Sequence, residues 1–568
     1  MGKSEIIIRL AGEGGEGVIS AGDMFTAGAA RLGYQVFTFR TYPSQIKGGP
    51  AWYQIRVSDK SVLSMGDGVD VLIAFNEEGY RDHIGELNKD GVLIYDPDTV
   101  TPDGKGHTSY PVPFNEISRK KLDFFRGKNL VVLGTMSALF GLDPGSLEGM
   151  VRSRLARRAE LLTKNLESLD HGYNYARKNI EKSDPYYLAA TEKISRVVMG
   201  GNEAVAAGAL AAGCRFYGGY PITPATEIFL TLAAELPKVG GVCFQAEDEM
   251  AAIGSVIGAS IGGSKAMTAT SGPGLSLMTE FLGYATIAEV PCVIADVQRG
   301  GPATGLPTKN EQSDFFHAVY GGHGDAPRIV VAPGSVEDCI YQTINAFNLA
   351  ERYQMPVLLL SDQSLSHRTE TFLPPDLSHV RLEERLTANG AAGAEFARYK
   401  LTENGISPVT IPGRPGTYSS PGLEHDEKGA PTTASKWHIA MTDKRFRKLD
   451  LAAKEGAASP RYGVRNAEIG IIGWGGTEGA IREAVDRAVA KGYKVAALHP
   501  KMVHPLTKGE IEKFVSPLKK VIVPEINYQG QFAHYLRGTL GIDVVRLNKY
   551  DGLPFCPGDI FQKIEEVI

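Results

Sequence analysis

Cysteine is scarce in this chain: five in 568 residues (Cys214, Cys243, Cys292, Cys339 and Cys556), all far apart. No CxxC pair occurs, and disulfide frameworks, zinc ribbons and iron–sulfur sites all want paired or clustered thiols. Buried, reduced thiols are the expectation, with no metal cluster held by this chain. Basic residues are not in excess either. Sixty Lys and Arg against 65 Asp and Glu give a formal net charge of −5, so nothing points to nucleic acid as a partner. Long apolar runs are also missing. The longest, "NLVVLGTMSALFGL" at 129–142, falls short of the roughly 20 residues that span a bilayer. The N-terminal "MGKSEIIIRLAGEGGEGV" turns polar and glycine-rich too soon for a signal peptide. A cytoplasmic protein with no membrane contact is expected.

What remains is an ordinary globular composition, 43% hydrophobic and 22% charged. At about 150 residues per domain, the length allows three or four domains. Residues 1–182 alternate short apolar strands ("EIIIRL", "YQVFTFR", "VDVLIAF", "GVLIYD") with helical patterns. That alternation argues for an α/β domain built on a parallel sheet flanked by helices. "SDPYYLAATEK" at 183–193 reads as a linker, with a proline and no periodicity. A second α/β domain spans 194–365, through "KAMTAT", "PCVIADV" and "PVLLLSD". Residues 366–460 read as irregular, rich in Gly, Pro and Ser. A third α/β domain spans 461–568, with "AEIGIIGWGGTEG", "KVAALHP" and "KKVIVPEIN".

Two glycine motifs compete for attention. "GEGGEG" fits GxGxxG through Gly12, Gly14 and Gly17, after a strand and before a helix, the context of a phosphate-cradling turn. The next strand ends in Arg40 rather than an acid, which argues against a nicotinamide dinucleotide. A phosphate-bearing ligand such as coenzyme A, or a purely structural turn, both remain open. "GDG" at 66–68 imitates a thiamine diphosphate motif but has no asparagine pair about thirty residues on, and reads as a turn. In "YGGYPITPATEIF" (217–229), Pro221 and Pro224 cannot both lie inside a helix. The chain must be extended or turned there, with Gly218 and Gly219 expected to supply unusual backbone angles. Thr223 and Thr226 follow at the start of a helix, where free N–H groups and hydroxyls favour an anion.

These residues carry a resemblance. "GGYPITPATEI", "QAEDEMAAIGSVIGASIGGSKAMTATSGPGLSLMTE" and "DVQRGGPATGLPT" resemble, in order, the blocks of the α subunits of 2-oxoacid:ferredoxin oxidoreductases. "NGISP", "EHDE" and "MTDKRFRKL" resemble its 2-oxoglutarate branch, and residues 1–182 resemble the family's γ domain, here fused ahead of α. The resemblance implies a γ-type domain, a thiamine pyrimidine-binding-type domain and a transketolase C-terminal-like domain. It also implies oxidative decarboxylation of a 2-oxoacid with coenzyme A and ferredoxin. A β subunit would hold thiamine diphosphate with Mg²⁺ and a [4Fe-4S] cluster, in a dimer of αβ heterodimers.

Roles follow from the resemblance residue by residue. A carboxylate must drive the cofactor's aminopyrimidine to its reactive tautomer. Glu247 is placed for it, with Glu249 the alternative and a solvated acidic turn the plain reading. Thr223 is implied to hydrogen-bond the substrate's carboxylate or keto oxygen. Arg299, in a glycine-rich loop, offers a planar fork that grips a carboxylate with two charge-assisted bonds, and Thr304 in the same block is a further substrate-binding candidate. Lys47 is the candidate partner for a distal carboxylate, or for coenzyme A, since burying such a charge unpaired is costly; an exposed turn lysine is the alternative. "EHDE" (Glu424 to Glu427) reads as a solvated turn. A nicotinamide oxidoreductase and a noncatalytic acyl-CoA-binding protein are the competing functional classes.

Overall fold

The computed structural model describes residues 5–41, 43, 48–104, 106–155, 158–188, 191–192, 194–388 and 396–568. The chain divides into two compact units. One is Met1–Met199 with Arg368–Pro375, and the other is Gly200–His367 with Asp376–Ile568.

The first unit is built on an eight-stranded sheet. Its order is Thr108–Pro111, Leu87–Tyr95, Val69–Ala74, Glu5–Glu13, Pro50–Ser58, Gln35–Thr41, Thr369–Phe372 and Val197–Gly200. Its core gathers Ile6, Ile8, Leu10, Phe25, Tyr53, Val71, Val131 and Phe140. The α/β class is as expected, but this sheet is mixed rather than parallel. Glu5–Glu13 runs parallel to Val69–Ala74 and antiparallel to Pro50–Ser58, which in turn is antiparallel to Gln35–Thr41. The added strand, "PAWYQIRVS", is buried almost throughout, so its side chains do not show the in–out alternation that marks a half-buried strand. The "GDG" stretch is a turn before Val69–Ala74, with Gly66 and Gly68 at φ of 77° and 68°.

The second unit holds two further sheets. A seven-stranded sheet is ordered Met502–His504, Ile329–Val331, Pro356–Asp362, Cys292–Gln298, Ala266–Thr270, Phe216–Gly219 and Val242–Gln245. All its pairings are parallel except that of the outermost Met502–His504. A five-stranded sheet is ordered Arg461–Gly463, Val495–Leu498, Ile469–Ile472, Lys520–Glu525 and Val545–Asn548.

The stretch 366–460, read from sequence as irregular, contains a 21-residue helix, Ser435–Glu455. Its buried face carries Lys444, Arg445 and Lys448 beside Met441, Leu449 and Ala452, so hydrophobic periodicity alone conceals it. The cations are buried because they have a buried counter-ion. Lys444 Nζ lies 2.6 and 2.5 Å from the two Glu289 oxygens and Lys448 Nζ lies 2.9 Å from one of them.

Candidate active site

Four loops leave the carboxyl ends of neighbouring parallel strands of the seven-stranded sheet, where ligands of open α/β sheets bind. They follow Phe216–Gly219, Val242–Gln245, Ala266–Thr270 and Cys292–Gln298.

The first loop is "YPITPA". Gly218 and Gly219 do not supply unusual angles, contrary to expectation. They finish the strand, and neither is among the glycines at positive φ. Glycine is needed there for space: a Cβ on Gly218 would lie 2.3 Å from Ser255 Oγ, and one on Gly219 would lie 2.5 Å from the Tyr217 ring. Beyond them the chain turns, with Ala225 N–H donating to Ile222 O (2.8 Å), and a helix begins at Thr226. The loop is pinned from both sides. Asn202 Nδ2 donates to Pro224 O (2.7 Å), and Arg299 Nη1 donates to Thr223 O (2.6 Å). Thr223 and Arg299 are thereby brought together. Arg299 is 7% exposed, and its Nε has no hydrogen-bond partner.

The second loop carries the acidic triplet, and the structure gives its members three different environments. Glu247 is exposed. Asp248 is the N-cap of the helix Glu249–Ile261, accepting from Ala251 N–H at 2.7 Å, which is the ordinary use of Asp at that position. Glu249 is 6% exposed. Its carboxylate lies against Gly274, where an added Cβ would come within 2.7 Å of Glu249 Oε1 and 2.0 Å of Thr270 Oγ1. The third loop, Ser271 to Gly274, opens the helix Gly272–Ile287. At its other glycine, a Cβ on Gly272 would meet Asp314 Oδ2 at 2.8 Å. This bare helix start is thus lined by the buried Glu249 carboxylate on one side and the half-buried Asp314 carboxylate on the other.

Two acids that the sequence reading did not single out, Asp296 and Asp314, act on the Arg299 charge. Asp296 is fully buried and neither carboxyl oxygen has a hydrogen-bond partner. Burial raises its pKa well above the usual carboxyl range, and the charge of Asp314 adds to the effect while Arg299 opposes it. Asp314 is pushed up to about 6 by burial and by Glu311, again opposed by Arg299. One signal was available: Asp296 interrupts the otherwise apolar strand "CVIADVQ", and a charged residue in a strand buried on both faces demands an explanation.

Comparison with known proteins decides the family. The family model for the thiamine diphosphate-binding domain of pyruvate flavodoxin/ferredoxin oxidoreductases matches residues 207–444. Those for pyruvate ferredoxin/flavodoxin oxidoreductase and for core domain II of pyruvate:ferredoxin oxidoreductase match residues 7–175 and 467–553. The 2-oxoglutarate oxidoreductase subunit KorA of Mycobacterium tuberculosis is 32% identical, over 98% of this chain and 90% of its own. The 2-oxoacid:ferredoxin oxidoreductase subunit alpha of a Sulfolobus species is also 32% identical, over 98% and 96%. Among solved structures, the 2-oxoglutarate:ferredoxin oxidoreductase of Magnetococcus marinus, with 2-oxoglutarate, coenzyme A and succinyl-CoA bound, is 43% identical. It superposes with a TM-score of 0.94 over 99% of both chains. The chain belongs to the 2-oxoacid:ferredoxin oxidoreductase family.

The remaining expected residues of this oxidoreductase chain are less closely engaged. Thr304 is exposed in the loop beyond Arg299, next to Ala303 at φ 55°. Lys47 lies outside the described residues. Gly12, Gly14 and Gly17 do form a strand–turn–helix, with Gly17 at φ 89° capping the helix Val18–Arg31. The turn's interior, however, is filled by its own Glu16. That carboxylate accepts from Glu13 N–H (2.9 Å), Asn76 Nδ2 (2.8 Å) and Lys128 Nζ (2.8 Å). A phosphate would compete with an anion already in place. "EHDE" is spent internally as well: Glu424 on Arg445 and His438, His425 against the Tyr399 ring at 4.0 Å, and Asp426 on its own turn. Among the described residues, no helix is long and apolar enough to cross a membrane.

Proposed function

We propose that this chain is the α-type subunit, with a fused γ-type domain, of a cytoplasmic 2-oxoglutarate:ferredoxin oxidoreductase. The reaction converts 2-oxoglutarate and coenzyme A to succinyl-CoA and CO₂, with reduction of ferredoxin, and is reversible. The observation that carries the reading is the convergence of Thr223, Arg299 and Glu249 at the carboxyl ends of one parallel sheet, in a chain that matches a 2-oxoglutarate enzyme along its whole length.

Thiamine diphosphate, when bound, supplies the carbon centre at which the 2-oxoacid loses CO₂. The residues present fit it. Glu249 is a buried carboxylate beside a helix start kept bare by glycine, and it can hold the hydrogen bond to the ring nitrogen that the chemistry needs. Glu247, in solvent, is the less suitable of the two. Arg299 binds the carboxylate next to the keto group, and Thr223 orients the substrate through its hydroxyl, with Thr304 at the rim. We assign the second carboxylate of 2-oxoglutarate to Lys47. The glycine turn at 12–17 we assign to structure, with coenzyme A as co-substrate held elsewhere.

A partner β subunit, carrying the diphosphate with its Mg²⁺ and a [4Fe-4S] cluster, completes the enzyme, as a dimer of αβ pairs that passes electrons to ferredoxin. Two features support the partner. The five cysteines form no disulfide among the described residues and lie dispersed along the chain. The outermost strand Val242–Gln245, beside Glu249, exposes Val242 (55%) and Phe244 (46%), and Leu230 and Met250 are also exposed. A cluster of exposed apolar side chains at an open sheet edge marks a protein interface.

The test is coexpression with the adjacent-type β subunit, followed by a panel of 2-oxoglutarate, pyruvate and branched 2-oxoacids with ferredoxin or viologen as acceptor. Coenzyme A-dependent oxidation of 2-oxoglutarate is expected from the complex and none from this chain alone. Preference for pyruvate, which the matching family descriptions name, would move the substrate but keep the site. Activity or iron in the isolated chain would overturn the division between subunits.

A further inference from the structure

The carbonyls of Ile222, Thr223 and Pro224 are each held by a hydrogen bond. Ile222 O accepts from Ala225 N–H (2.8 Å) and from Thr226 Oγ1 (3.1 Å). Thr223 O accepts from Arg299 Nη1 (2.6 Å), and Pro224 O accepts from Asn202 Nδ2 (2.7 Å). The last of these bonds is itself braced. Asn202 stands in the first turn of the helix Gly201–Ala211 and is 2% exposed. Its Nδ2 also donates to Glu227 Oε2 (3.1 Å), and His367 Nε2 lies 3.3 Å from the same oxygen. Glu227 is in the first turn of the helix Thr226–Glu235, and the buried His367 ends the short helix Gln363–His367. Glycine lets these helix ends meet: a Cβ on Gly201 would lie 2.0 Å from Leu365 O.

Resting on the reading of Thr223 as the residue whose hydroxyl orients the substrate, we propose that Asn202, Glu227 and His367 are positioning residues that present Thr223 to the 2-oxoacid. An amide side chain has a donor end and an acceptor end. With Nδ2 turned to Pro224 O and Glu227 Oε2, both Asn202 N–H groups are used. The reversed amide would set Oδ1 against a carbonyl and a carboxylate, two acceptors with no proton between them. Glu227 therefore fixes the sense of the Asn202 amide, and His367 holds the Glu227 carboxylate from the other side. Through Arg299 and Asn202, the peptide planes after Thr223 and after Pro224 are both fixed, and a β-branched side chain on a fixed backbone has few χ1 choices left. Arg299 also links the two substrate contacts, because the group that grips the substrate carboxylate holds the Thr223 carbonyl. The Asn202 brace keeps the far side of that frame from yielding. Misplacing a positioning group by about 1 Å can cost on the order of 10²-fold in rate. Arg299 still binds the substrate carboxylate when the brace is cut, so the loss falls on kcat rather than on KM.

The experiment uses the assembled enzyme with its partner subunit and measures kcat and KM for 2-oxoglutarate in a double-mutant cycle. Asn202→Ala should lower kcat by on the order of 10- to 100-fold, with KM little changed. Glu227→Ala, at a position whose side chain is partly exposed, should do the same with less risk to folding. Glu227→Gln, which keeps an acceptor oxygen for Asn202, should retain most of the parent rate. In a Thr223→Val background the hydroxyl being aimed is gone, so adding Asn202→Ala or Glu227→Ala should cost no more than about twofold. The full loss repeated in that background would show that these residues support the fold rather than aim Thr223, and would overturn the proposal. A parent rate in both Asn202→Ala and Glu227→Ala, or a raised KM with unchanged kcat, would overturn it too. A parent rate in Thr223→Val alone would instead overturn the reading of Thr223 beneath it, so the two failures are distinct.

Discussion

At the scale of single residues, the question is which carboxylate of "AEDEM" acts. A single residue separates Glu247 from Glu249, yet the first is in solvent and the second is 6% exposed against Gly274. The difference arises from the cap between them. Asp248 fixes the first turn of Glu249–Ile261, so the residue before it is left in the loop and the one after it is turned inward. A proton-transfer partner of this kind contributes about 10²–10⁴-fold. In the assembled enzyme, Glu249→Gln should lower kcat by that amount while Glu247→Gln stays within a few-fold of the parent. Steady-state rates of the two variants check it, and a dead Glu247→Gln beside an active Glu249→Gln would reverse the assignment. The sequence shows that an acid belongs at this strand-to-helix junction, but not its register, because capping and burial both favour acids at a helix start and three are adjacent. Thr223 and Arg299 were legible as separate candidates. Their hydrogen bond was not, since 76 residues separate them.

At the scale of elements, strands were the most legible part, because buried parallel strands are short apolar runs between turns. What sequence hid were elements whose buried face is charged. The helix Ser435–Glu455 is the main case: Lys444 and Lys448 converge on Glu289, which is itself fully buried at φ 53°. Burial alone would raise its pKa, but the ammonium groups of Lys448 and Lys444 and the Arg398 guanidinium outweigh that and hold it well below the usual range. The folded pKa is depressed, so this contribution is complete above the ordinary carboxylate range near 4.3 and is lost only as pH falls below it. Removing the lone carboxylate strands several buried cations, a change that typically costs about 3–5 kcal/mol. Glu289→Gln should therefore destabilise the chain strongly in urea unfolding at neutral pH. Lys444→Met should cost much less, because Lys448 and Arg398 still balance Glu289. Equal losses in the two variants would show that the cluster acts by packing rather than by charge.

At the scale of the whole molecule, the chain belongs to a family of multi-subunit oxidoreductases, and the proposed partner needs a surface to attach to. Three features meet at one edge of the seven-stranded sheet: the outer side of its last strand, Val242–Gln245, the exposed Val242 and Phe244 on that strand, and the loop bearing Glu249 that leaves it. On the division of labour proposed above, an acid that reaches a cofactor carried by another subunit stands at the boundary with that subunit, and this apolar edge is where such a boundary would fall. Sequence could not reveal it, because an exposed Val or Phe in a strand is indistinguishable from a buried one until the sheet order is known. Phe244→Asp places a charge on the exposed face without touching the core. The variant should fold alone, with an unchanged circular dichroism spectrum and unfolding midpoint. Loss of a central aromatic anchor costs about 2–4 kcal/mol, so its association with the β subunit should weaken by roughly 30-fold or more. Sedimentation of the mixed subunits reads this directly, with Tyr528→Asp as the control, since Tyr528 is exposed outside that edge. Normal assembly of Phe244→Asp, or equal damage from both substitutions, would mean that the β subunit docks elsewhere, and that the exposed edge beside Glu249 needs another occupant.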